Sequence, residues 1–382
     1  MATIMEKCAI QWFNEFSGSV ANFGIIFPIM IGVSFATGLH LGTMLLVCGV
    51  WYILIGVWYG IPLSVEPLKA ISALAIGYEL SSVDILTSGI VVGIVMLFLG
   101  ITGGMQYISD LIPQVLVRGI QFALGLILLK TAVLSYGASD PWFFGLSLVL
   151  LVLCGAIARW RKIPDFSALL LIAIACGFTL IMGFLVSGID IISIQFPPLF
   201  HPDLLSIPIS AWVAAIIPGL SSQLPLTITN SVLASGLLVS DLYKRSVSSN
   251  SLSCSVGLMS ISSSILGGFP MCHGAGGVAA HSRFGARTGV SMVIGGMILI
   301  VFALFLSSEA VFHFLPFGIL AALLVVVSVE LIRRGFSDFE GSSTPLIVCM
   351  GAIALLGGMT VAFLFGCGWV VLSQFVGKKE TV

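Results

Sequence analysis

The sequence predicts an all-α integral membrane protein of fourteen transmembrane segments, built as two inverted seven-span repeats with half-helices at spans 3 and 10. Three observations carry this. Only 8% of the 382 residues are charged and 58% are hydrophobic, against a charged share of ~25% in soluble domains, and the mean hydropathy is +1.18. No soluble coat can be made from this composition. Apolar runs bounded by Gly, Pro or charge recur in two sets of seven, and the basic residues fall on one side of the resulting topology.

The first set lies at about 14–36, 39–60, 62–78, 83–103, 112–134, 142–159 and 165–187. A polar stretch containing Asp190, Pro197, Pro198, His201, Pro202 and Asp203 follows. The second set lies at about 208–239, 246–266, 269–282, 288–308, 315–333, 344–358 and 359–376. The repeats are therefore placed at 1–190 and 205–377. At ~20 residues per crossing this leaves room for short loops and no separate soluble domain. The 43 glycines suit helices that approach closely in lipid. Met1 to Phe16 contains acids and bulky aromatics, unlike a cleaved signal, and is expected as a retained amphipathic lead into the first helix.

With a cytoplasmic N-terminus, Lys7, Arg118, Arg159, Arg161, Lys162, Lys244, Arg245, Arg283, Arg287, Arg333, Arg334, Lys378 and Lys379 all lie on the cytoplasmic side, and only Lys69 and Lys130 do not. That is the positive-inside pattern of a cell-membrane protein with both termini in the cytoplasm. Glu79, Asp84, Asp140, Asp190, Asp203 and Glu309 fall on the opposite face. Seven spans per half make the second half enter the bilayer in the opposite sense, which sets a site near the midplane. Glu15 to Glu66 spans 51 positions and Gln223 to His273 spans 50, a matched interval in the two halves.

Two segments break the helical pattern. Pro62-Leu63-Ser64-Val65-Glu66-Pro67-Leu68-Lys69 is expected to be extended before a helix that starts near Pro67. Gly267-Gly268-Phe269-Pro270-Met271-Cys272-His273-Gly274-Ala275-Gly276-Gly277 is too glycine-rich for an ordinary spanning turn. Alone, each reads as a kink or a packing contact. At corresponding places in two halves they read as half-helices whose N-termini face each other, an anion site made of backbone N–H groups. Glu15, Gly18 and Asn22 form one polar stripe, and Gln223, Thr227 and Asn230 another. Such stripes either hydrogen-bond between helices or line a cavity. Glu66 with Lys69 is either a relay at membrane depth or a structural ion pair. His273 is a hydrogen-bonded spacer, a proton carrier or, least of all, a metal ligand, whereas His281 reads as water-facing and incidental.

Other classes fare worse. The net charge of −1 gives no field for nucleic acid, and the eight cysteines stand singly without a CxxC pair, so neither a disulfide framework nor a metal site is expected. No GK[ST] follows the glycine run, no HExxH occurs, and no Ser/His/Asp set can be placed. The chain is not expected to be an enzyme or to need ATP or a cofactor.

Residues Pro62 to Ile76 (PLSVEPLKAISALAI) and Pro270 to Gly289 (PMCHGAGGVAAHSRFGARTG), with the opening Glu15 to Gly24 and Pro28, resemble the plant-type molybdate transporter family within the sulfate-permease superfamily. The resemblance extends over nearly the whole chain. It implies core and gate domains, each drawn from both repeats, and a homodimer. Asn22 stands where that family usually has Asp and Glu66 where it has Gln, so a carboxylate has moved from the first span to the third. The chain runs only six residues past its last expected span, without the regulatory domain of sulfate permeases, which favours the molybdate branch.

The expectation is a secondary transporter importing a tetrahedral oxyanion, molybdate before sulfate, with a proton. The substrate-binding residues are Ser64, Val65, Glu66, Lys69, Asn22, Gln223, Thr227, Cys272, His273, Gly274, Ala275 and Gly276, and the proton-coupling residues are Glu66 and, second, Glu15. The rivals are a nucleobase or carboxylate symporter of the same fold, expected to place a carboxylate at the entrance of span 10, and a non-transporting membrane subunit.

Overall fold

The computed structural model describes residues 2–78, 80–161, 165–187, 196–200, 209, 212, 223–305, 315–336 and 344–375. The polar stretch at 201–208, the start of the eighth run, and Glu79, Lys162, Asp190, Glu309, Lys378 and Lys379 lie outside these residues. The described chain is overwhelmingly helical. Six helices among the described residues are long and apolar enough to cross a bilayer.

The first run is two helices, α1 (Ala2–Ser19) and α2 (Phe23–Thr37), parted by a turn at 20–22. Helix α3 (Leu41–Tyr59) is followed by an extended stretch with a two-residue strand β1 (Glu66–Pro67), then the short α4 (Lys69–Tyr78). Helix α5 (Ser82–Ile101) starts on a capping box in which Ser81 and Asp84 satisfy each other's backbone N–H. A short α6 (Gly104–Leu111) that the apolar pattern did not foreshadow precedes α7 (Gln114–Lys130), which runs on through the π-helical turns Thr131–Gly137. Helices α8 (Pro141–Arg161) and α9 (Ser167–Ser187) complete the first half.

In the second half α10 covers 224–243, joining Leu224–Leu226, the π-helical Thr227–Ala234 and Ser235–Tyr243. Helix α11 (Ser249–Ile265) leads to strand β2 (Met271–Cys272), α12 (Ala275–Arg283), α13 (Val290–Phe305) and α14 (Phe317–Gly335). The last element, α15 (Thr344–Phe375), is broken at Gly358, whose φ of 83° and ψ of 172° leave helical space. That break falls at the boundary expected between the last two runs.

Two helix pairs pack most extensively, α3 with α13 and α5 with α11. Both seams are backbone against backbone. A methyl at Gly49 or Gly56 of α3 would lie 2.7 or 2.6 Å from the carbonyl oxygens of Gly296 and Gly289, and one at Gly257 of α11 would lie 2.8 Å from the Gly93 carbonyl of α5. Small residues are what allow such approach where lipid removes any hydrophobic drive between helices. A second group gathers α7, α8, α9, α14 and α15, centred on α7 against α14 and α15. Its outer surface carries Trp142, Trp160, Phe184 and Leu356, exposed by 89, 76, 68 and 92%, an apolar coat suited to lipid and not to water.

Candidate functional site

The site grows from the two extended segments. Proline at 62, 67 and 270 disfavours helix there, and the segments meet as an antiparallel pair with Glu66 opposite Cys272 and Pro67 opposite Met271. The Leu68 N–H donates to the Pro270 carbonyl (3.0 Å). Neither Pro67 nor Pro270 has an N–H to extend the ladder, so it stops after two residues and each chain turns into a helix, α4 at Lys69 and α12 at Ala275.

Side chains tie the crossing together. Ser64 Oγ donates to the Gly274 carbonyl (2.7 Å) and accepts from the Gly274 N–H (3.0 Å). His273 Nδ1 donates to the Ser64 carbonyl (2.8 Å), and its Nε2 lies 2.7 Å from Ser255 Oγ. Since the Ser64 carbonyl can only accept, Nδ1 carries a ring proton, and Nε2 faces the Ser255 hydroxyl, which also reaches the Leu252 carbonyl (3.0 Å). Both ring nitrogens are engaged, and the ring meets Tyr59 edge-on. Of the roles open to His273, the geometry is that of the hydrogen-bonded spacer.

The two helix N-termini differ. Gln223 Oε1 accepts from the Ala70 and Ile71 N–H groups (2.9 and 3.3 Å), closing α4, while its Nε2 donates to Thr227 Oγ1 (2.9 Å). At α12, Ala275 N–H reaches Asn230 Oδ1 at 3.3 Å. Among the described residues the Gly276 and Gly277 N–H groups have no acceptor. The open donor end is thus that of α12, where the aligned peptide dipoles sum to about half a positive charge.

Facing it is the fully buried Glu66. Its Oε2 pairs with Lys69 Nζ, its Oε1 has no partner among the described residues, and the carboxylate rests on the Cα atoms of Gly274 and Gly277, where any side chain would overlap it. Asn22 sits at the N-terminal boundary of α2. Its Nδ2 donates to Tyr52 Oη (2.8 Å) and to the Val65 carbonyl (3.5 Å), which turns an equally unpartnered Oδ1 towards Gly277.

The structure therefore brings Asn22, Ser64, Val65, Glu66, Lys69, Cys272, His273, Gly274, Ala275 and Gly276 together, with Gln223 and Thr227 at the rim. Asn230, Tyr52 and Gly277 belong with them. Asn230 was visible as part of a stripe, whereas Tyr52 gave no signal within an apolar helix. Glu15 is elsewhere: its Oε1 accepts from the Arg287 and Thr288 N–H groups (3.1 and 3.0 Å) at the start of α13. His281, expected to face water, is fully buried and bonds the Gly18 carbonyl through Nδ1 at 2.8 Å. The last turn of α12 packs against α1, which a one-dimensional pattern does not reveal.

Beyond the C-terminal end of α12 a cavity of about 320 Å³ is lined by Asp241, Leu242, Ser282, Arg283, Arg287 and Glu330. Around it Arg118 on α7 pairs with Asp241 on α10 (2.5 Å), and Arg283 on α12 pairs with Asp165 ahead of α9 (3.1 Å).

A family profile described as "Molybdate transporter of MFS superfamily" matches residues 14–128 and 215–331, which is more than half of the chain. Molybdate transporter 2 and Molybdate transporter 1 of Arabidopsis thaliana are 28 and 29% identical over 94 and 93% of this chain, and 86 and 88% of their own lengths. Among solved structures, the transmembrane domain of the cyanobacterial bicarbonate transporter BicA superposes with a TM-score of 0.56 at 18% identity, covering 93% of this chain and 97% of that one. The overall structure of SLC26A9 gives a TM-score of 0.63 at 14% identity over 96% of this chain and 66% of that one. These likenesses establish the fold. With the profile matching residues in both halves, the chain belongs to the molybdate transporter family, as an integral membrane anion transporter and not an enzyme.

Proposed function

We propose that this protein imports a tetrahedral oxyanion, molybdate ahead of sulfate, together with a proton, and that the anion binds at the N-terminus of α12. The observation carrying this is that, among the described residues, the buried Gly276 and Gly277 N–H groups have no acceptor, with Ser64 and Asn22 against Gly277. Such a helix end binds a dianion through backbone donors and dipole. Backbone donors read charge and shape more than size, so sulfate is the second substrate.

The scaffold we propose is fourteen spans in two inverted repeats, 1–190 and 205–377. The packing of α3 on α13 and of α5 on α11 supports it, because an exchange of halves turns each pair into the other. The α3, α5, α11 and α13 group serves as core, the α7, α14 and α15 group as gate, and one rocks or slides against the other. The distribution of bases supports cytoplasmic termini in the cell membrane, and the working form is a homodimer.

Glu66 is the proposed proton carrier. A dianion ~5 Å from an ionised carboxylate, at an effective dielectric of ~20, is repelled by ~3 kcal/mol per unit of its charge. Protonation removes that repulsion, so anion and proton assist one another. Glu15, held at the start of α13, is the lesser candidate. Uptake should quicken as external pH falls, and Glu66→Gln should flatten that response; a variant with the full pH response moves the proton route elsewhere. The Glu66 carboxylate does stand at the α12 entrance, as a nucleobase symporter would require, but it is already paired with Lys69. Uptake of labelled molybdate in competition with sulfate, uracil and xanthine tests the substrate. Competition by sulfate alone is expected, and inhibition by a nucleobase with none by sulfate refutes the proposal.

A further inference from the structure

The carboxylate of Glu66 stands where the proposed substrate would bind. It touches both Gly274 and Gly277, is shielded from solvent, and, among the described residues, presents an unpartnered oxygen at a helix end with two unclaimed N–H donors. Among the described residues, the titratable groups around it include Lys69 on α4, Cys48 and Tyr52 on α3, Cys272 on β2 and His281 on α12, with Asn22 alongside Gly277. Every one of these except Lys69 is itself buried to within a few per cent. A four-oxygen anion cannot be added to this arrangement while the carboxylate stays in it. Nor is Glu66 free to use the other helix end, because Gln223 already fills the α4 N-terminus.

We propose that Glu66 is a resident ligand of the α12 N-terminus, a tethered anion that occupies the oxyanion seat in substrate-free protein and must swing away from Gly274 and Gly277 before molybdate can bind. This rests on the α12 site reading above and adds to it. Substrate binding becomes an exchange of one anion for another, with Lys69 as the pivot that keeps hold of the departing carboxylate. The exchange keeps the positive helix end from standing empty in the membrane. It also gives a carboxylate at this entrance a role other than grasping a ring N–H. The apparent affinity for molybdate is then the intrinsic affinity multiplied by the fraction of time the seat is open.

The test is molybdate binding to purified protein at one fixed pH, with formate as a small free carboxylate. If the seat is open about a tenth of the time, Glu66→Ala should bind molybdate about tenfold more tightly than the unmodified protein, and formate should compete in Glu66→Ala but not in the unmodified protein. Glu66→Gln, which keeps the shape without the charge, should also bind molybdate more tightly, with a formate sensitivity between those of the other two proteins. Molybdate no tighter in either variant, or equal formate sensitivity in all three proteins, overturns the proposal. Gly274→Leu separates this from failure of the site itself: if it folds and binds molybdate normally, the α12 site is wrong. Should the Glu66 variants not fold, a molybdate-induced infrared difference spectrum of the unmodified protein decides. A carboxyl band that shifts on binding supports the exchange, and a spectrum without one refutes it.

Discussion

A single methyl group at Gly277 separates a packing requirement from ordinary helix energetics. The new Cβ would lie 2.5 Å from Ser64 Cβ and 2.7 Å from Asn22 Oδ1, and would overlap Glu66 Oε1. Carbon contacts are comfortable at ~3.5–4.0 Å, so three groups on two segments, Ser64 and Glu66 on one and Asn22 on the other, must each retreat by about 1 Å. Overpacking of that kind costs ~1–3 kcal/mol. The change also gains up to ~1 kcal/mol of helix propensity, leaving a net destabilisation of up to about 2 kcal/mol. Gly177→Ala is the control, since nothing lies within 4 Å of a Cβ there and only the gain remains. Thermal unfolding in detergent, paired with molybdate titration, reads both effects. Gly277→Ala should melt lower and bind molybdate about tenfold or more weakly, while Gly177→Ala should melt at or above the unmodified protein with binding unchanged. If Gly277→Ala matches Gly177→Ala in both readings, neither the tight floor of the seat nor the placement of substrate on it is correct.

Three further outcomes are expected. Gln223→Leu strands the Ala70 and Ile71 N–H groups and should cost ~1–3 kcal/mol in unfolding free energy, whereas Gln223→Glu, which keeps the acceptor, should cost less; equal losses would refute the capping role. Arg118→Met should lower stability by up to ~3–5 kcal/mol by leaving Asp241 unpaired, and exchanging the two residues as Arg118→Asp with Asp241→Arg should recover much of that loss on a melting curve. Cysteines introduced at 140 and 161 should react with an impermeant thiol reagent only from outside and only from inside, respectively, and the reverse pattern would refute the topology.

The sequence was legible where chemistry is local. Prolines at 62, 67 and 270 announce extended backbone whatever surrounds them, and a left-handed glycine at 358 marks a helix break in an otherwise uniform apolar run. It was less legible where a partner lies far along the chain. Nothing in Val20-Ala21-Asn22 signals the turn between α1 and α2, because Asn22 sits there through its bonds to Tyr52 and Val65. The closure of α4 by Gln223 joins residues 153 positions apart. The two half-helices were foreseen as equals, and only tertiary structure reveals that one end is capped and the other open. His281 reads as a surface residue from its neighbours Ser282 and Arg283 until α12 is packed on α1. The short α6 escaped because it is amphipathic and too brief for a spanning pattern.

The bonds between Ser64 and Gly274 span 210 residues, which has a consequence for biosynthesis. At ~5–20 residues per second, about 10–40 s separate the emergence of Ser64 from the ribosome from that of its partner. Through that interval the nascent first half must hold a glutamate in or near the bilayer with α12 not yet made. Lys69, three positions away, is the one partner for Glu66 that is synthesised almost at once. By its place in the sequence this ion pair is able to form before α12 is made, leaving the segment neutral overall until the second half arrives to enclose it.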